Sequence, residues 1–103
     1  MHRLIADKQD EIAAICRRYR VERLEVFGSA ARGTDFDLDN SDVDFLVEFN
    51  SEKEPVTLQR YLDMIEDLSS AMARGIDLVE EKWIRNPYLK EAINEERELV
   101  FEE

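Results

Sequence analysis

A chain of 103 residues has room for one compact domain, taken here as residues 1–103, and excludes an enzyme assembled from separate cofactor and substrate domains. Its 14 Lys+Arg against 25 Asp+Glu leave a net charge of −11, a field that repels a nucleic-acid backbone and suits a basic protein partner or multivalent cations. With 44% hydrophobic residues, a core that buries about two-thirds of the unfolded chain's surface is within reach without disulfides.

Leu4, Ile5, Ile12, Ile15, Cys16 and Tyr19 recur at helical spacing over roughly the first 20 residues, and Arg17, Arg18 and Arg20 place positive charge where a helix C-terminus favours it. One helix is predicted there, with Cys16, the single cysteine, as a small buried thiol. The start, Met-His-Arg-Leu-Ile, lacks the apolar stretch of a secretory signal, and no apolar run approaches the roughly 20 residues of a membrane span, so a cytoplasmic location is the expectation. His2 receives no role.

Leu24, Val26 and Gly28 then alternate with Arg23, Glu25 and Phe27: a strand that stops at the turn Gly28-Ser29. Ala30, Ala31 and Arg32 form a helical turn behind Ser29 as N-cap, with Gly33 as its stop, and the polar, acidic run Thr34 to Asn40 is a loop. From Asp42 to Phe49 the period is two again, with Val43, Phe45, Val47 and Phe49 on one face and Asp42, Asp44, Leu46 and Glu48 on the other. Pro55 suits the start of a helix with a stripe of Leu58, Tyr61, Leu62, Ile65, Leu68 and Met72, ended by Gly75. Ile76, Leu78 and Val79 around Asp77 make a third strand; Asn86-Pro87 caps a last helix bearing Leu89, Ala92 and Ile93; Leu99-Val100-Phe101 is an edge strand. The fold class is a small α/β (α+β) domain, a mixed sheet with helices packed on it.

Three carboxylates stand out. Asp42 and Asp44 share a strand face with Cα atoms about 6.6 Å apart, and at an effective dielectric near 20 their repulsion is about 2.5 kcal/mol, so the pair is cheap in water and costly if enclosed. Two readings are open: an edge strand whose outward aspartates block sheet-to-sheet pairing, or a partly enclosed cleft whose hard oxygen ligands recruit Mg²⁺. Leu46 on the same face favours the cleft. Asp77 lies in an apolar run where aspartate is a poor strand former. It is either solvated or, if its strand neighbours the Asp42–Asp44 strand, the third member of a carboxylate cluster.

Gly28-Ser29 is an ordinary turn dipeptide or, with its N–H groups and hydroxyl, a small anion site. Neither of the two commonest phosphate loops, G-x-x-x-x-G-K-[ST] and G-x-G-x-x-G, occurs. Asp35, Asp37 and Asp39 imitate the start of a calcium loop, but Asn40 and Leu46 stand where glycine and glutamate are needed, so that reading fails. Trp83, beside Lys82, Arg85 and Tyr88, is a recognition surface or, as amphipathic aromatics at a helix entry more often are, partial core.

Taken together, these elements resemble the nucleotidyltransferase superfamily of DNA polymerase β. Gly28-Ser29-Ala30-Ala31-Arg32-Gly33 followed by Ser41-Asp42-Val43-Asp44-Phe45-Leu46-Val47 is similar to the G-S-x-A-R-G … S-D-x-D-x-x-V signature of its MNT-type minimal members. The resemblance covers nearly the whole chain. It implies the antitoxin of a HEPN/MNT toxin–antitoxin pair, an enzyme that transfers AMP from ATP to a tyrosine of a partner HEPN ribonuclease and forms a hetero-oligomer with it. Carried over to this sequence, it implies that Asp42 and Asp44 ligate Mg²⁺, as two ions, with Asp77 as third carboxylate and proton acceptor. Gly28 and Ser29 would hold the ATP phosphates. Arg32 is either a charge stabiliser near the triphosphate or a structural partner of the acidic loop. The long acidic spacer Thr34 to Asn40 departs from the short loops expected there. Two other functions use the same features: a non-catalytic acidic antitoxin that masks its partner, and nucleotidyl transfer to a small-molecule hydroxyl.

Overall fold

The computed structural model describes residues 3–32, 42–50 and 56–103, the side chains of Ser29 and Arg32 excepted. His2, Gly33, the acidic spacer and Pro55 lie outside the described residues. In chain order the elements are α1 (Arg3–Asp7), α2 (Gln9–Arg18), β1 (Val21–Phe27), α3 (Ser29–Arg32), β2 (Val43–Phe49), α4 (Leu58–Met72), β3 (Ile76–Glu80), a 3₁₀ turn (Glu81–Trp83), α5 (Pro87–Glu96) and β4 (Glu98–Glu102).

The four strands form one mixed sheet in the order β3-β2-β1-β4. β1 is antiparallel to β2 and to β4, while β2 and β3 run parallel. Parallel neighbours cannot be joined by a tight turn, and α4 is the crossover that returns the chain. The register sorts the sheet into two faces. On one, Leu24, Val26, Val43, Phe45, Val47, Leu78 and Phe101 are buried against Ile5, Ile12 and Cys16 of α1 and α2 and Met64, Leu68 and Met72 of α4. The other carries Glu25, Phe27, Asp44, Leu46, Asp77 and Val79, since Glu25 pairs with Leu46, Phe27 with Asp44, Asp44 with Asp77 and Leu46 with Val79. α5 and the 3₁₀ turn cover part of this second face, where Leu46 is 2% and Ile93 4% exposed.

A clamp ties that cover down. Arg97 donates Nε to Glu25 Oε2 at 2.8 Å and Nη2 to Glu25 Oε1 at 2.6 Å, and its Nη1 and Nη2 reach Glu81 at 2.9 and 3.1 Å. Arg23 pairs with the same two acids, at 2.9 Å for Glu25 and 3.3 Å for Glu81. Among the described residues Glu25 is the one buried charged side chain, and a buried carboxylate persists only when paired in this way. The Arg97 guanidinium holds the Glu25 and Glu81 carboxyls below their usual range, outweighing the opposing effect of burial.

Several expectations need correcting. The first helix is broken at Lys8, whose N–H bonds the Ile5 carbonyl in an i→i−3 contact at 3.1 Å. No residue from Asp7 to Gln9 forbids helix, so the break is tertiary; Ile5 and Ile12 are both fully buried. The α4 stripe is shifted: Met64 is in the core, whereas Leu58 and Leu62 are 73% and 48% exposed. α4 starts behind Thr57, whose side chain accepts from Arg60 N–H, and stops at Ala73 in the left-handed conformation, before reaching Gly75. Trp83 is not partial core: it is 62% exposed, its Nε1 donating to Glu80 at 2.6 Å with the Lys82 ammonium over its ring. In α5, Ile93 is buried but Leu89 is half exposed. The Asn86 cap is as expected, its side chain accepting from Tyr88 and Leu89 N–H behind Pro87.

Cys16 is fully buried and its thiol is pushed up to about 12 by that burial. Native protein at pH 8 is therefore expected to leave a thiol reagent unconsumed, with one equivalent reacting on addition of denaturant. Rapid labelling of the native chain would contradict this packing.

Candidate active site

Parallel pairing of β2 and β3 sets Asp44 directly opposite Asp77, with Cα atoms about 4.8 Å apart in an ordinary sheet. Antiparallel pairing of β1 and β2 sets Phe27, the residue before Gly28, opposite the same Asp44. The sheet thus gathers at one end the glycine turn after β1, the acidic start of β2 and the start of β3. Gly28 has φ +71°, a conformation glycine adopts without steric cost, and α3 begins directly behind it. Ala30 and Ala31 anchor α3 in the core.

Two glycines meet the carboxylates. A Cβ on Gly28 would lie 2.4 Å from Asp44 Oδ2, and one on Gly75 would lie 2.3 Å from Asp42 Oδ1. Both approaches need glycine. Asp42 therefore leans toward the β3 side and Asp44 toward the β1 side, so the two carboxylates diverge. Asp44 is half-buried, while Asp42 and Asp77 are exposed. A hollow of about 380 Å³ opens here, its lining including Phe27, Asp44, Tyr61, Asp77, Leu89 and Ile93. That volume is in the range of small-ligand pockets. A hollow of about 410 Å³ between Glu48, Glu80, Glu81, Lys82 and Lys90 is lined by none of the candidate aspartates.

Of the expected site residues, the structure brings Asp44, Asp77 and Gly28 together, with Asp42 two residues before Asp44. It places Ser29 and Arg32 on α3 at the same end of the sheet. Among the described residues no three His, Cys, Asp or Glu side chains lie close enough to share one metal ion. The donor set still fits Mg²⁺, which is commonly held by one or two carboxylates together with substrate phosphates rather than by a cage of protein ligands alone.

Two neighbours of the site were not anticipated from sequence. The Gly28 N–H donates to Glu96 Oε2 at 3.2 Å, a contact 68 positions apart. The Tyr61 hydroxyl donates to the Leu78 carbonyl, and burial, with Glu80 and Asp77 nearby, raises the pKa of that phenol, keeping it protonated.

Residues 10–100 match the family described as "Nucleotidyltransferase domain". A Methanocaldococcus jannaschii protein named "Putative protein adenylyltransferase" is 38% identical over 79 residues, 77% of this chain and 76% of its own. The solved "putative minimal nucleotidyltransferase" superposes with a TM-score of 0.74 at 28% identity, covering 95% of both chains. The complex of a tri-AMPylated Shewanella oneidensis HEPN toxin with its MNT antitoxin also contains this fold: TM-score 0.67, 15% identity, 96% of this chain and 73% of that one. The chain belongs to the nucleotidyltransferase domain family, and the polymerase β-like core and enzymatic class expected from the motifs hold. Among the described residues no helix is long and apolar enough to cross a membrane.

Proposed function

We propose that this chain is a Mg²⁺-dependent adenylyltransferase that moves AMP from ATP onto a tyrosine hydroxyl of a partner HEPN ribonuclease toxin, and so acts as its antitoxin. The observation that carries this reading is the in-register pair Asp44 and Asp77 on parallel strands beside the Gly28 turn. The adenylyltransferase name of the M. jannaschii relative supports a protein acceptor, and the MNT–HEPN complex supports the kind of partner.

Asp42 and Asp44, with Asp77, are the residues that would hold Mg²⁺, whose chemistry is to neutralise the triphosphate and lower the pKa of the attacking hydroxyl. Gly28 and Ser29 would hold the phosphates, and Arg32 is the motif's candidate for stabilising their charge. The tyrosine oxygen attacks the α-phosphorus in line; a P–O bond forms, the bond to the β-phosphate oxygen breaks, and pyrophosphate leaves. Asp77 accepts the hydroxyl proton, a role that needs a carboxylate within hydrogen-bond reach of the acceptor.

Incubation with α-labelled ATP, Mg²⁺ and the product of the neighbouring gene is expected to label that partner and raise its intact mass by whole AMP units. Absence of label with folded components would reject the proposal. The net charge of −11 favours one rival, neutralisation by masking a basic partner. The Asp42→Asn, Asp44→Asn double variant separates the two: masking leaves neutralisation intact, whereas AMP transfer loses it.

A further inference from the structure

Gly28 stands between two carboxylates. Asp44 Oδ2 lies against its α-carbon, at 2.4 Å from the place a Cβ would take, and Glu96 Oε2 accepts its N–H at 3.2 Å. Asp44 belongs to the adjoining strand. Glu96 comes from a different layer, as the last residue of α5. A negative side chain is electrostatically misplaced at a helix C-terminus, where the macrodipole is itself negative. Its position is nevertheless fixed, because the next residue, Arg97, is locked onto Glu25 and Glu81. The clamp therefore holds the Glu96 backbone over the glycine turn.

We propose that Glu96 is an internal competitor for the nucleotide phosphate: its carboxylate occupies the Gly28 amide until a phosphate oxygen displaces it, and Glu96 thereby sets the affinity for ATP. This rests on the reading of Gly28 as a phosphate-holding position. A carboxylate and a phosphate oxygen are both anionic acceptors, one N–H serves one of them well, and their charges repel at contact distance. When a site is open in only a fraction of molecules, apparent affinity falls by that fraction. Hydrogen bonds to charged groups are strong enough to leave about one molecule in ten open.

The test measures binding of AMP-PNP with Mg²⁺, and of adenosine, to the full chain as wild type, Glu96→Gln and Glu96→Ala. Expected is a Kd for AMP-PNP about tenfold lower in Glu96→Ala, a smaller gain in Glu96→Gln, and no change for adenosine, which carries no phosphate. Equal AMP-PNP affinity in wild type and Glu96→Ala, or weaker binding by the variant, overturns the competitor role, while binding by wild type keeps Gly28 as a phosphate position. Failure of all three proteins to bind AMP-PNP removes both. Glu96→Gln carries the same comparison if circular dichroism shows Glu96→Ala to be unfolded.

Discussion

Asp44→Asn is expected to lower AMP transfer by a factor of about a hundred to a thousand. Asp77 stands opposite Asp44 on the neighbouring strand and is exposed, and like charges directly opposite each other oppose sheet pairing. Asp77→Asn should therefore lower transfer as well while leaving the Tm unchanged or slightly raised. The measurements are transfer from α-labelled ATP and scanning calorimetry on the same preparations. A variant that is less stable yet fully active would identify the aspartate as structural.

Arg97→Ala is expected to have the largest effect on stability, on the order of 3 kcal/mol. It leaves Glu25, 8% exposed, with Arg23 alone, and it frees the end of α5. The pH dependence carries the signature. Glu25 and Glu81 are held below their ordinary 4.5 chiefly by Arg97. Carboxyls depressed in the native state contribute stability that is fully present above the unfolded value and is lost as pH falls through the folded one. Wild type should therefore keep its Tm at neutral pH and lose it as the pH drops below about 4.5, and Arg97→Ala should show a lower Tm with a flatter acid limb. Arg97→Lys should fall between them, because an ammonium restores the charge but not the two-pronged donor. A wild-type acid limb parallel to that of Arg97→Ala would show that the clamp contributes little.

Much of the site was legible because its signals are local. Period-two alternation placed Asp44 and Leu46 on one face of β2, and the apolar run Ile76, Leu78 and Val79 around Asp77 marked β3; Asp42, expected on the same strand face as Asp44, lies just before β2 with its carboxylate against Gly75, whereas that of Asp44 lies against Gly28. The role of Gly75 was misread as a helix stop, since glycine has two common uses and only the fold reveals that a Cβ would strike Asp42. What sequence did not disclose is non-local. Arg97 meets Glu25 across 72 positions and Glu96 meets Gly28 across 68, and no periodicity announces such pairs. The shift of the α4 stripe from Leu58 and Leu62 toward Met64 has the same cause, because the angle at which a helix lies on a sheet decides which of two adjoining apolar rows is covered. Trp83 followed its polar edge into water rather than its ring into the core.

The phenol of Tyr61 has a bearing on how a macromolecule reaches the hollow. The alternation that aims the Gly75 carbonyl at Val43 turns the Leu78 carbonyl to the outer margin of β3, and Tyr61 already occupies it. An extended segment from another protein approaching along this margin would have to displace the Tyr61 hydroxyl from the Leu78 carbonyl before a strand could be added at that position.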